Sequence, residues 1–198
     1  MKEEWLAQGL AEGTHAEWLN YPFPIQGAEA YIDLLFTPQA ERISILRNLT
    51  DGIIIINAVY TTLDNLKGDF IRINGWKSFL KRNIAEVACK NEELKEKTEK
   101  ILSCFGRSTE WVPDQPGFIS ARVVSMIINE AYFALEDGVS SKEEIDTAMQ
   151  LGTNYPYGPF AWSRIIGLKN IYELLLKMAE NNSRYKPSAL LEKEALAS

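Results

Sequence analysis

The chain has 198 residues, 46% of them hydrophobic and 24% charged, enough for one good core or two small domains sharing an interface. A formal net charge of −6 argues against a nucleic-acid partner and against an electrostatic hold on anionic membranes, since both need a basic surface. No apolar run reaches the length of a membrane span, no secretory signal is visible, and Cys89 and Cys104 lack metal-ligand spacing, so a reduced, cytoplasmic protein without a structural metal is expected.

In chain order, "AYIDLLF" (Ala30–Phe36) and "GIIIINAVY" (Gly52–Tyr60) have the continuous apolar and β-branched character of strands buried on both faces of a parallel sheet. Between them "TPQAERISILRNL" predicts a helix with Thr37 as N-cap, Pro38 in its first position, and Ile43, Leu46 and Leu49 on one face. Strand, helix, strand is one βαβ crossover. "DFIRIN" (Asp69–Asn74) is a third strand, "KNEELKEKTEKILSCFG" an amphipathic helix ended by Gly106, and "STEWV" (Ser108–Val112) a short last strand.

Two prolines and a glycine at Pro113–Gly117 break the pattern and predict a domain boundary, with an α/β domain over 1–112 and a helical one over 113–198. "PGFISARVVSMIINEAYFALEDG" carries Ile119, Val123, Met126, Ile127 and Ala131 along one side and ends at Gly138. "SKEEIDTAMQLG" begins with Ser141 and Glu144 in capping-box spacing and is expected to stop at Gly152. "NYPYGP" predicts a rigid turn, "GLKNIYELLLKMAENN" a last helix, and the tail from Ser183 a loosely held polar segment.

The usual chemistry is hard to find. None of the twelve glycines forms G-x-G-x-x-G or G-x-x-x-x-G-K-[ST], so no phosphate cradle can be drawn. His15, the one histidine, sits in "EGTHAEW", a surface turn or cap, and without it no Ser/His/Asp arrangement exists.

Val112–Trp162, "VPDQPGFISARVVSMIINEAYFALEDGVSSKEEIDTAMQLGTNYPYGPFAW", resembles the start of the C-terminal domain of the 3-hydroxyacyl-CoA dehydrogenase family. Asp114, "PGFI", Arg122, "NEA", Gly138, "EEID", Gly152 and "NYPYGP" carry the likeness, and "SRYKPSALL" (Ser183–Leu191) looks like a later element of that domain. Gly27–Pro113 resembles the second half of the family's NAD-binding domain. There "AEAYIDLLF" fits an acidic strand with Asp33 at its carboxylate, and "NGWKSFLKRNIAE" fits the motif of the catalytic histidine.

Carried over residue by residue, the resemblance places the catalytic histidine on Asn74, the substrate-contacting serine on Val59 and the family's asparagine on Ala121. It retains only Glu86, the carboxylate that orients the histidine. An asparagine cannot take up a proton at neutral pH. The fold implied is α/β plus all-α, a truncated Rossmann-like half sheet without the glycine loop followed by the helical domain through which the family dimerises. Residues 1–26 are too short and too poor in glycine to replace the missing part.

A catalytically silent relative is expected, with no NAD cofactor and no metal. It would be a homodimer that keeps an acyl-CoA cleft between the two domains, for which Asn57, Asn74, Trp76 and Glu86 are the candidates. The alternatives are a working NAD-dependent dehydrogenase of fatty-acid metabolism, completed by a partner chain, and an interaction module in which Trp76, Phe79, Tyr155, Tyr157 and Trp162 are core or interface aromatics.

Overall fold

The computed structural model describes residues 1–49 and 51–197. The chain divides into two compact units, Met1–Phe118 and Ile119–Ser198.

The first unit is a five-stranded sheet in sequential order, β1 (Ala30–Asp33), β2 (Ile53–Asn57), β3 (Phe70–Ile73), β4 (Ile84–Ala88) and β5 (Ser108–Trp111). The first three strands run parallel, β4 turns back antiparallel to β3, and β5 is parallel to β4. Successive isoleucines of β2 alternate between two cores. Ile53 and Ile55 pack with Ile71, Ile73, Val87 and Leu102, while Ile54 and Ile56 pack with Tyr31, Leu46, Leu49 and Phe70. Each such burial stabilises the fold by roughly 1.5–3 kcal/mol, which is why a run of four isoleucines ends up in an interior strand of the sheet.

Several elements differ from the expectations. β1 stops at Asp33 because that carboxylate accepts from the Leu35 N–H at 3.1 Å and closes a turn. The helix after it, α2, is Ala40–Arg47 with Gln39 as N-cap; Thr37 and Pro38 lie in a tight turn where the Gln39 N–H donates to the Thr37 carbonyl. β4 was not anticipated at all. α3 is Lys95–Ser103, entered through a 3-10 turn at Glu92–Leu94 that Asn91 caps.

The amino-terminal residues are built into this unit. α1 (Lys2–Trp5) delivers Trp5, 1% exposed, into the core beside Phe105 at a centroid separation of 5.1 Å. The Arg107 guanidinium lies 4.4 Å above the Trp5 ring and donates to the carbonyls of Glu4 and Phe105 at 3.2 and 2.8 Å. Burial pulls its pKa below the usual arginine value. His15 is exposed in an irregular stretch.

Arg72 in β3 is fully buried. Its Nε donates to the Ala58 carbonyl at 2.8 Å, one Nη to the Val59 carbonyl at 3.0 Å, and the other to the Asp114 carboxylate; the Phe118 ring packs 4.6 Å from the guanidinium. Burial lowers the pKa of Arg72 and Asp114 opposes the shift. Asp114 also accepts from the Leu63 N–H at 2.8 Å. These bonds hold residues 113–118 in the first unit, past the boundary expected at 112.

The second unit is helical: α4 (Ser120–Glu136), α5 (Lys142–Thr153), α6 (Pro159–Ile166), α7 (Leu168–Ala179) and α8 (Ala189–Leu196). In α4 the inward face is Ala121, Val124, Ser125, Ile128, Asn129, Ala131 and Tyr132. Of the side predicted to be its apolar face, Ala131 is buried but Ile119 and Val123 are each 52% exposed. The helix is apolar over more than one stripe, and Ser125 and Asn129 disguise the one that packs inward. The Ser141–Glu144 capping box is present, but α5 runs on to Asn154, which takes the left-handed turn at φ 57°.

The turn expected over "NYPYGP" gives way at its last residue to a helix that the sequence did not announce, α6. Pro159 starts it, and Asp146 caps it by accepting from the N–H groups of Phe160 and Ala161 at 2.7 and 2.9 Å. The tail is not loose. Asn129 donates to the Lys186 carbonyl and accepts from the Ser188 N–H, Ser188 caps α8, and Leu191 is fully buried.

The expected consequence of the Arg72 network is that Arg72→Met, which takes the guanidinium from Asp114 and from the Ala58 and Val59 carbonyls, lowers stability by about 3 kcal/mol. Urea denaturation followed by tryptophan fluorescence measures it, and a loss within error of zero contradicts the account.

Candidate functional site

The candidate residues of the first unit gather where β2 and β3 end. In open α/β sheets that carboxyl end is where ligands bind. β3 pairs with β4 in the register Arg72↔Ala88 and Ile73↔Val87. The next step brings Asn74 opposite Glu86, with the Asn74 N–H donating to the Glu86 carbonyl at 3.0 Å. Residues twelve apart in sequence thus become cross-strand neighbours on one face.

Their side chains bond directly. Asn74 Nδ2 donates to Glu86 Oε2 at 2.8 Å, with Asn74 4% and Glu86 5% exposed. A guanidinium nitrogen of Arg82 lies 3.9 Å from the same carboxylate oxygen, and its carbon sits 4.8 Å from the Phe79 ring. Burial pulls the Arg82 pKa down and Glu86 opposes that shift. The other end of the Asn74 amide, Oδ1, is buried with no hydrogen-bond partner among the described residues. Asn74 is therefore a donor already engaged and an acceptor with unused capacity. It has no proton to exchange near neutral pH.

Asn57 does different work. Its Nδ2 donates to the carbonyls of Leu34 and Gly75 at 3.1 and 3.2 Å, and its Oδ1 accepts from the Gly75 N–H at 3.0 Å. A Cβ on Gly75 would stand 2.6 Å from Asn57 Cγ, so only glycine fits. Asn57 is thus a brace between the ends of β1 and β3. Trp76, 5% exposed, packs into the unit just after it.

Val59 is 2% exposed and works through its backbone, its carbonyl accepting from Arg72 and from the Gly117 N–H at 2.8 Å. Ala121 is fully buried on α4 of the second unit. Asp33, at the acidic position of β1, is engaged by Arg42 in a two-pronged ion pair at 2.7 and 2.8 Å. This pair raises the Arg42 pKa.

Asn57, Asn74, Trp76 and Glu86 thus share one region of the first unit, where Asn74 and Glu86 touch. Arg72 and Arg82 are the polar residues that sequence reasoning passed over. An arginine inside the otherwise apolar "FIRI" was the available signal, since a charge in a buried strand must have partners. A cavity of about 250 Å³ opens elsewhere, at the starts of β2 and β3, lined by Arg47, Gly52, Ile53, Gly68, Phe70 and Leu94. Among the described residues no group of three or more His, Cys, Asp or Glu could hold a metal ion. No helix among the described residues is long and apolar enough to cross a membrane.

Residues 117–198 match the family model described as 3-hydroxyacyl-CoA dehydrogenase, C-terminal domain. The 3-hydroxyadipyl-CoA dehydrogenase of Escherichia coli is 42% identical over 115 residues, which are 57% of this chain and 24% of that protein. The crystal structure of 3-hydroxybutyryl-CoA dehydrogenase from Escherichia coli superposes with a TM-score of 0.65 at 34% identity, over 72% of this chain and 31% of that one. That of (S)-3-hydroxybutyryl-CoA dehydrogenase from Ralstonia eutropha, at 22% identity, shares the fold with a TM-score of 0.73 over 85% of this chain and 65% of that one. The chain spans about a quarter of the length of the curated Escherichia coli relative. It is related to the 3-hydroxyacyl-CoA dehydrogenases, and residues 117–198 match the model of that family's C-terminal domain.

Proposed function

We propose that the protein is a catalytically silent relative of these dehydrogenases, one that binds an acyl-CoA without oxidising it and pairs with a second copy of itself. The observation that carries the first part is the Asn74–Glu86 hydrogen bond. At the position that the resemblance gives to the catalytic base there is an amide, and the carboxylate that should orient a base instead accepts from that amide. Val59 and Ala121, at two further positions of the reaction, are buried and without side-chain polar atoms. Loss of a general base costs about a hundred- to ten-thousandfold in rate on its own. The unused acceptor of Asn74 suits a donor such as the 3-hydroxyl of a 3-hydroxyacyl-CoA.

Pairing rests on the second unit. Ile119 at the start of α4, Val123 and Phe133 on it, and Leu176 on α7 are 52, 52, 38 and 43% exposed, an apolar surface that suits pairing with a second copy. The thiols of Cys89 and Cys104, both unbridged, fit a reducing, cytoplasmic setting.

Calorimetric titration with 3-hydroxybutyryl-CoA is expected to give heat, and titration with NADH none. Absence of acyl-CoA heat would remove the binding role, while heat from NADH would favour the alternative of a working dehydrogenase. Light scattering after size exclusion is expected to give twice the chain mass for the wild type and a single chain mass for the double variant Ile119→Glu, Val123→Glu. A wild type of single mass contradicts the pairing.

A further inference from the structure

Asn74 is the one asparagine of this chain that is followed by glycine. Asparagine–glycine is the dipeptide most prone to spontaneous deamidation, because glycine has no side chain to hinder its own backbone nitrogen. That nitrogen attacks the asparagine Cγ after losing its proton to water or hydroxide. The Cγ–Nδ2 bond breaks, ammonia leaves, and a five-membered succinimide forms; water then opens the ring to aspartate or isoaspartate. Amide plus water thus becomes carboxyl plus ammonia, with no redox change.

Every atom of that reaction is held here. The Gly75 nitrogen is directed at two acceptors, Asn57 Oδ1 at 3.0 Å and the Ile73 carbonyl at 3.1 Å. The Gly75 carbonyl accepts from Asn57 Nδ2 at 3.2 Å, so one side chain grips the glycine peptide from both ends. The amide that would leave is bound to Glu86 at 2.8 Å. Asn74 itself is 4% exposed, so water reaches it poorly. The chain cannot escape the hazard by replacing the glycine, since a Cβ there would overlap the Asn57 side chain at 2.6–2.9 Å. The close approach that demands glycine is also what restrains it.

We propose that Asn74–Gly75 is a deamidation site that the Asn57 brace keeps closed in the folded protein and that opens when the end of β3 loosens. The product is not neutral for the site. An aspartate at 74 would bring a second carboxyl group against Glu86 and put like-charge repulsion in place of the amide–carboxylate hydrogen bond. An isoaspartate would instead lengthen the backbone by one carbon where the ladder between β3 and β4 ends.

The test is a timed incubation at mildly alkaline pH, followed by digestion and mass spectrometry of the peptide containing Asn74. Folded wild type is expected to keep the amide while the same chain in urea converts it. The Asn57→Ala variant, folded by near-ultraviolet circular dichroism, is expected to convert about tenfold faster than the wild type, the equivalent of losing the one Asn57 bond that holds the Gly75 nitrogen. If that variant does not fold, the wild type in sub-denaturing urea decides: conversion should rise in step with hydrogen exchange of the Gly75 amide. A folded Asn57→Ala variant as durable as the wild type, a folded wild type that converts as fast as the unfolded chain, or conversion indifferent to Gly75 exchange overturns the proposal.

Discussion

A guanidinium taken wholly out of water must find all its partners in the protein, and Arg72 finds them on two separate pieces of chain. Its bonds reach the backbone just past β2, the Asp114 carboxylate, and the ring of Phe118. That one side chain fixes where β3 lies against β2 and where the chain after β5 returns. Breaking such a buried pair costs far more than an exposed one, because the charge left behind stays desolvated. Everything at the ends of these strands inherits its placement from this constraint. Asn57 and Gly75 are gripped together there, and Asn74 is the next residue outward from the ladder.

The antiparallel return of β4 then does the chemical sorting. It sets a carboxylate, Glu86, on the same face as Asn74 and within hydrogen-bond reach. A carboxylate so placed would raise the basicity of an imidazole and fix its tautomer. Against an amide it can only accept a hydrogen bond, and the result is a stable polar pair with no proton to give or take. On the proposed reading, the difference from a dehydrogenase site lies at Asn74 and also at Val59 and Ala121, which carry no polar side-chain atom at the positions the resemblance matches.

How much of this could be read from the chain follows from what each element depends on. β2 was legible because four successive isoleucines suit a strand buried on both faces, and the α5 cap because Ser141 and Glu144 stand at the spacing the box requires. β4 was not legible. "IAEVA" has a glutamate at its centre and follows "KRN", so only its pairing with β3, a long-range event, makes it a strand. α6 hid behind the prolines and glycine of "NYPYGP", and α8 behind a polar sequence whose few buried residues, Leu191 and Ala195, are held in place by Asn129 far upstream. The Asn74–Glu86 pair could be suspected from the resemblance. The unused Asn74 oxygen and the Asn57 brace could not, since both depend on three-dimensional neighbours.

The central claim is that Asn74 cannot act as a base. It is tested most directly by incubating the pure protein at high concentration with 3-hydroxybutyryl-CoA and NAD and following the appearance of NADH. The account predicts no formation above the rate without protein. Protein-dependent NADH formation that disappears in an Asn74→Ala variant would contradict it.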